Sequence, residues 1–174
     1  MTPEIPEADL TVDTSPLIKC YGILILAMPL TYVMNMMVAA AAFLVLIMAV
    51  NWGRKLRRRE EPLFKNHGRW IRRTFWQSMA FTCIAVIVCW SVFSSNADNT
   101  GMEALAQGLQ AGTLTPDDVQ MEVDAFYVRN ADLIFWDWVV CFTPVVLYAV
   151  ARYVKGYRLA DAGKPVPNVT SWWI

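Results

Sequence analysis

Asp137 is the ionisable side chain set well inside an apolar run of this chain, between Leu133 and Ala151. A carboxyl in such a place is a default candidate for handling a proton or a ligand, because an ion in hydrocarbon is costly. Its neighbours favour a more modest role. Asp132 lies only about 8 Å away by helical rise, and Trp136 and Trp138 flank Asp137 as members of an interfacial aromatic belt do. Asn35, Gln77 and Ser78 are further polar groups in apolar surroundings, suited to pairing with Asp137 or to hydrogen bonds between helices. Cys20, Cys83, Cys89 and Cys141 form no close C-x-x-C pair and have one histidine for company. That pattern points to small packing residues and away from a zinc or cluster site. The histidine, His67, has no nucleophile and acid at recognisable spacing for triad chemistry. The residues therefore predict no catalytic centre, no metal and no cofactor.

The elements that must position these residues are apolar helices. Of 174 residues, 56% are hydrophobic and 17% charged, with mean hydropathy +0.35, whereas soluble domains are about a quarter charged. The fold class predicted is an all-α integral membrane bundle. Residues 1–16 carry four acids and no Lys or Arg, and with Pro3, Pro6 and Pro16 they are expected to form a disordered acidic tail and not a cleaved leader. Residues 17–174 are expected to form one membrane domain.

Leu17 to Val50 as one helix would reach about 51 Å, against a hydrocarbon core of about 30 Å. The stretch Met28-Pro29-Leu30-Thr31 is the natural break, with Asn35 following. Spans are then expected over about 17–30, 34–56, 75–94 and 132–152, with a kink at Pro144; without the break there are three spans. The segment 51–73 holds nine Lys or Arg against Glu60 and Glu61, and Arg152, Lys155, Arg158 and Lys164 follow the last span. Basic loops stay in the cytoplasm, so the loop 51–73 and the C-terminus are placed there and the acidic segment 96–131 on the opposite side. Within that outer segment, Thr115-Pro116-Asp117-Asp118 reads as a helix start. Met102, Leu105 and Leu109 form a short apolar stripe on an earlier helix stopped by Gly112.

His67, Arg69, Trp70, Arg72, Arg73 and Trp76 are expected to face lipid headgroups as an interfacial anchor, the arginines snorkelling and the tryptophans seating at the boundary. On that view His67→Ala is mild. The basic run Arg54 to Arg59 follows from topology and gives no support to nucleic-acid binding. Ala39 to Ala42 permits close approach of a neighbouring helix from the same chain or another.

The run His67-Gly68-Arg69-Trp70-Ile71-Arg72-Arg73-Thr74-Phe75-Trp76 resembles the H-x-R-W-x-x-R-T-F-W signature of a family of small, uncharacterised bacterial inner-membrane proteins. Arg152, Lys155 and Gly156, then Gly163-Lys164-Pro165, are similar to that family's closing R-x-x-K-G step and G-K-P turn. The family is distantly grouped with the channel-like subunit of the chloroplast inner-envelope import translocon. The resemblance implies a multi-pass protein of the bacterial inner membrane with no known enzymatic activity. Two functions are expected to compete. One is a non-enzymatic accessory or assembly subunit, or a self-associating bundle, whose partners are membrane lipids, other inner-membrane subunits or further copies of itself. The other is small-molecule or ion conductance by a homo-oligomer lined by Asn35, Gln77, Ser78 and Asp137.

Overall fold

The first apolar block breaks just beyond its proline. In the computed structural model, which describes residues 12–172, helix α1 (Ser15–Leu30) runs through Pro29, and α2 (Met36–Leu56) starts afresh. A proline in the last turn forfeits one backbone donor and little else. The Thr31 hydroxyl donates to the Met28 carbonyl at 2.7 Å, closing that end. Asn35 then caps α2, its Oδ1 accepting from the backbone N–H groups of Met37 and Val38, both at 3.1 Å. The break falls where the sequence placed it, with Asn35 as the new helix's cap.

Four more helices follow: α3 (Pro62–Asn96), α4 (Met102–Ala111), α5 (Pro116–Arg129) and α6 (Ala131–Asp161). No strand occurs among the described residues. Helices α2, α3 and α6 are long and apolar enough to cross a membrane, so the chain is a membrane-embedded protein of helical-bundle type. Helix α1 has 16 residues and reaches about 24 Å, short of a core of about 30 Å. It packs along α2 as a hairpin. The segment expected as an acidic tail lies mostly outside the described residues, and helix begins already at Ser15.

The described chain divides into two compact units. The first comprises residues 12–82 and 144–172. In it α1 buries Leu17, Cys20, Tyr21, Leu24, Ala27 and Met28, a stripe at helical spacing. Helix α2 answers with Ala42, Leu46, Ala49, Val50, Gly53 and Leu56. Two glycines set the α2–α3 approach. A Cβ on Gly68 would stand 2.6 Å from Arg57 Cβ and 2.9 Å from the Gly53 carbonyl oxygen, and one on Gly53 would stand 3.1 Å from Ile71. Helix α6 ends in a Schellman motif. Gly163, at φ 65°, donates to the Ala160 carbonyl, and Lys164 donates to that of Leu159.

The second unit comprises residues 83–143. Thr115 caps α5, where the Thr-Pro-Asp-Asp sequence predicts a helix start, and it also forms a reciprocal capping box with Asp118. Hydrogen bonds from the Thr115 hydroxyl and backbone N–H hold the Asp118 carboxyl below its ordinary value. Gly112 ends α4 in the left-handed region. Helix α5 is not continuous with α6: Asn130 intervenes, 2% exposed. Its amide accepts from the Asp98 N–H at 2.7 Å and donates to the Asp98 carbonyl at 3.0 Å.

Candidate functional site

The signature stretch divides by helical face. His67, Trp70 and Thr74, spaced by three and four residues, point into the first unit and are at most 1% exposed, followed by buried Gln77 and Ser78. Arg69 and Arg72 lie exposed, Arg73 is half-buried and Trp76 is exposed. The expectation that all six signature residues face headgroups is therefore corrected for His67 and Trp70. Their side chains are covered by protein, because α1, α6 and the segment after α6 pack over this face of α3.

Each of those elements supplies a specific partner. From α1 the Tyr21 hydroxyl reaches His67 Nδ1 at 2.9 Å. From beyond α6 the Lys164 carbonyl oxygen lies 3.0 Å from His67 Nε2. A carbonyl only accepts, so Nε2 carries the proton and Nδ1 accepts from the tyrosine. Asn66, one residue earlier, binds both backbone groups of Val166. Its Nδ2 donates to the carbonyl at 3.1 Å, and its Oδ1 accepts from the N–H at 2.7 Å.

Trp70 and Arg152 form the second half of the cluster. The indole N–H donates to the Arg152 carbonyl at 3.0 Å, and the Arg152 guanidinium stacks over the indole at 3.8 Å from the ring centre. Arg152 Nε donates to Thr74 Oγ1 at 3.1 Å, and Nη1 to the Ser171 carbonyl at 3.1 Å. Four residues on, Gly156 admits the Tyr21 ring: a Cβ there would lie 2.5 Å from it. The two sequence segments that carry the family resemblance, some 80 residues apart, thus meet in one buried polar knot.

No family model, curated protein or solved structure matches this chain. Both ring nitrogens of His67 are committed to partners within the chain, which leaves neither lone pair nor proton free for a substrate. The first thirteen or so residues of α3 are its polar, basic part ahead of the apolar stretch from Phe75, and His67 lies there. Burial lowers its pKa from the ordinary 6.5, and the bond to the Lys164 carbonyl opposes this in part. A folded-state pKa below the unfolded one means that stability is full above about 6.5 and declines as pH falls through the lower folded value. Thermal unfolding in detergent should therefore show a midpoint that drops on acidification below pH 6.5, and His67→Gln should flatten that drop. His67→Ala should lose about 1–3 kcal/mol by stranding the buried Tyr21 hydroxyl. That replaces the mild effect expected of a headgroup contact.

The remaining candidates have local roles. Asn35 is the cap of α2, and Gln77 Oε1 lies 3.2 Å from the Tyr148 hydroxyl. Cys20 is a buried packing residue with its thiol 3.4 Å from the Ala49 carbonyl, whereas Cys83 is exposed and does not pack as expected. Asp137 is 7% exposed, and its Oδ1 accepts from the Cys141 thiol at 3.4 Å. Tyr21 and Asn66 escaped the sequence reading. The signal that could have found them was the spacing of His67, Trp70 and Thr74, which marks a buried helical face needing polar partners.

Proposed function

We propose that the chain is a non-enzymatic protein of the bacterial inner membrane, acting as an accessory or assembly subunit or as a self-associating bundle. The observation that carries this reading is on α2. Its buried stripe faces α1, and Ala40 and Ala41 lie exposed beside Met37, Leu44 and Met48. Small residues on a free helix face allow backbones to approach closely, which is how membrane helices associate. The commitment of both His67 nitrogens to structural partners supports a role without catalysis.

The charge pattern supports an orientation with residues 51–73 and the C-terminus in the cytoplasm, where Arg54, Lys55, Arg57 and Arg58 meet anionic headgroups. Lipids and other membrane subunits, not nucleic acid, are then the partners. One experiment addresses side and association together. The variant Asp117→Cys is labelled in intact bacterial cells (after outer-membrane permeabilisation) with a membrane-impermeant maleimide, then solubilised in mild detergent and sized. The expected result is labelling without opening the inner membrane and a labelled particle heavier than one chain with its detergent. Labelling only after lysis would reverse the orientation, and a strictly monomeric particle with no copurifying partner would remove the association.

A further inference from the structure

The second unit brings together three side chains that the sequence keeps far apart. Cys89 comes from α3; Asp137 and Cys141 come from one face of α6, four residues apart. Their ligand atoms, two thiol sulfurs and a carboxylate oxygen, all lie within 4.8 Å of one another. Asp137 is 7% exposed, and its Oδ2 has no hydrogen-bond partner among the described residues. We propose that Cys89, Asp137 and Cys141 form a binding site for a soft divalent cation of the zinc class.

The donor set selects that class. Thiolates favour zinc-like ions, whereas calcium and magnesium require cages of oxygen. In a tetrahedral site, metal bonds of about 2.3 Å to sulfur and about 2.0 Å to oxygen set the donor atoms about 3.5–3.8 Å apart. The present spread closes to that with side-chain rotations and about 1 Å of movement. Three protein ligands leave a fourth position for water, as in open zinc sites. Binding exchanges the two thiol protons for the ion, so the local charge stays that of one carboxylate while Oδ2 gains a partner. Asp137 lies five residues from Asp132, about 8 Å along the helix, so the site is at interfacial depth where ions arrive from water. Sequence spacing could not show this, because no C-x-x-C pair announces it and the α3 ligand is fixed only by the fold.

The test uses the reduced full-length chain in detergent with Co2+ as probe and Zn2+ as competitor. Expected are one cobalt per chain, a thiolate-to-cobalt charge-transfer absorption that Zn2+ abolishes, and a weakening of more than about tenfold in Cys141→Ser and in Asp137→Asn. A second measurement needs no variant. Bound Zn2+ should slow alkylation of Cys89 and Cys141, mapped by peptide mass, while exposed Cys83 reacts at an unchanged rate. Absence of the charge-transfer band, or alkylation of Cys89 and Cys141 that Zn2+ leaves unaltered, would overturn the proposal.

Discussion

Trp70→Ala should lower the thermal midpoint of the detergent-solubilised protein by roughly 6–20 °C. The expectation rests on about 3–5 kcal/mol for truncating a buried tryptophan and about 2–4 °C per kcal/mol for a chain of this size. Trp70 is 1% exposed and has two further attachments to lose. Its N–H satisfies the Arg152 carbonyl, and its ring carries the Arg152 guanidinium. Removing the ring therefore leaves a cavity beside a buried cation that has lost its stacking surface. Trp70→Phe should fall between, keeping part of the volume and the π-face but not the donor. Trp76, six residues on and 61% exposed, provides the comparison: Trp76→Ala should stay within about 0.5 kcal/mol of the parent. Equal losses at both positions would mean that Trp70 is an interfacial ring and not a core one.

Gly68→Ala should cost about 3 kcal/mol, the upper part of the range for overpacking. The added methyl would meet the Gly53 carbonyl oxygen and the Arg57 Cα. Those are backbone atoms, with no side-chain torsion through which to move aside. Helices α2 and α3 would have to separate at the turn that joins them, which also disturbs the His67 end of the knot. Gly22 is the matched control, since nothing stands within 4 Å of a Cβ there. Gly22→Ala should be neutral or stabilise by up to about 1 kcal/mol through helix propensity. Thermal unfolding of the two variants side by side checks the pair, and indistinguishable midpoints would refute the close α2–α3 contact.

Much of the fold was legible in the sequence because hydropathy and capping are local. Phe75 to Phe93 and Leu133 to Ala151 read as spans and lie within α3 and α6. Pro29 with Asn35 marked the end of one helix and the start of another, and Thr115 and Gly112 marked the bounds of α5 and α4. The knot was not legible for a physical reason. Beside a membrane span, an arginine, tryptophan or histidine is already accounted for by headgroup contact, so residue type carries no information about burial. Only the partners supplied by Tyr21, Arg152 and Lys164 decide it, and those lie 46 to 97 residues away in sequence. Asp137 and its cysteines were hidden likewise, since a donor set divided between two helices has no linear signature.

The asparagine pairing has a temporal side. Asn66 and His67 leave the ribosome 97 to 100 residues before the backbone groups of Lys164 and Val166 that they bind. Through most of translation α3 must therefore wait with the Asn66 amide and the Nε2 of His67 unanswered, at the basic end where water and headgroups can serve as substitutes. The segment that displaces those substitutes is made after every helix it touches. Assembly of the first unit is thus completed by a latch that synthesis closes late, and a chain cut short after α6 but before Lys164 would keep the Tyr21–His67 and Trp70–Arg152 contacts yet lack those that fasten the following segment to α3.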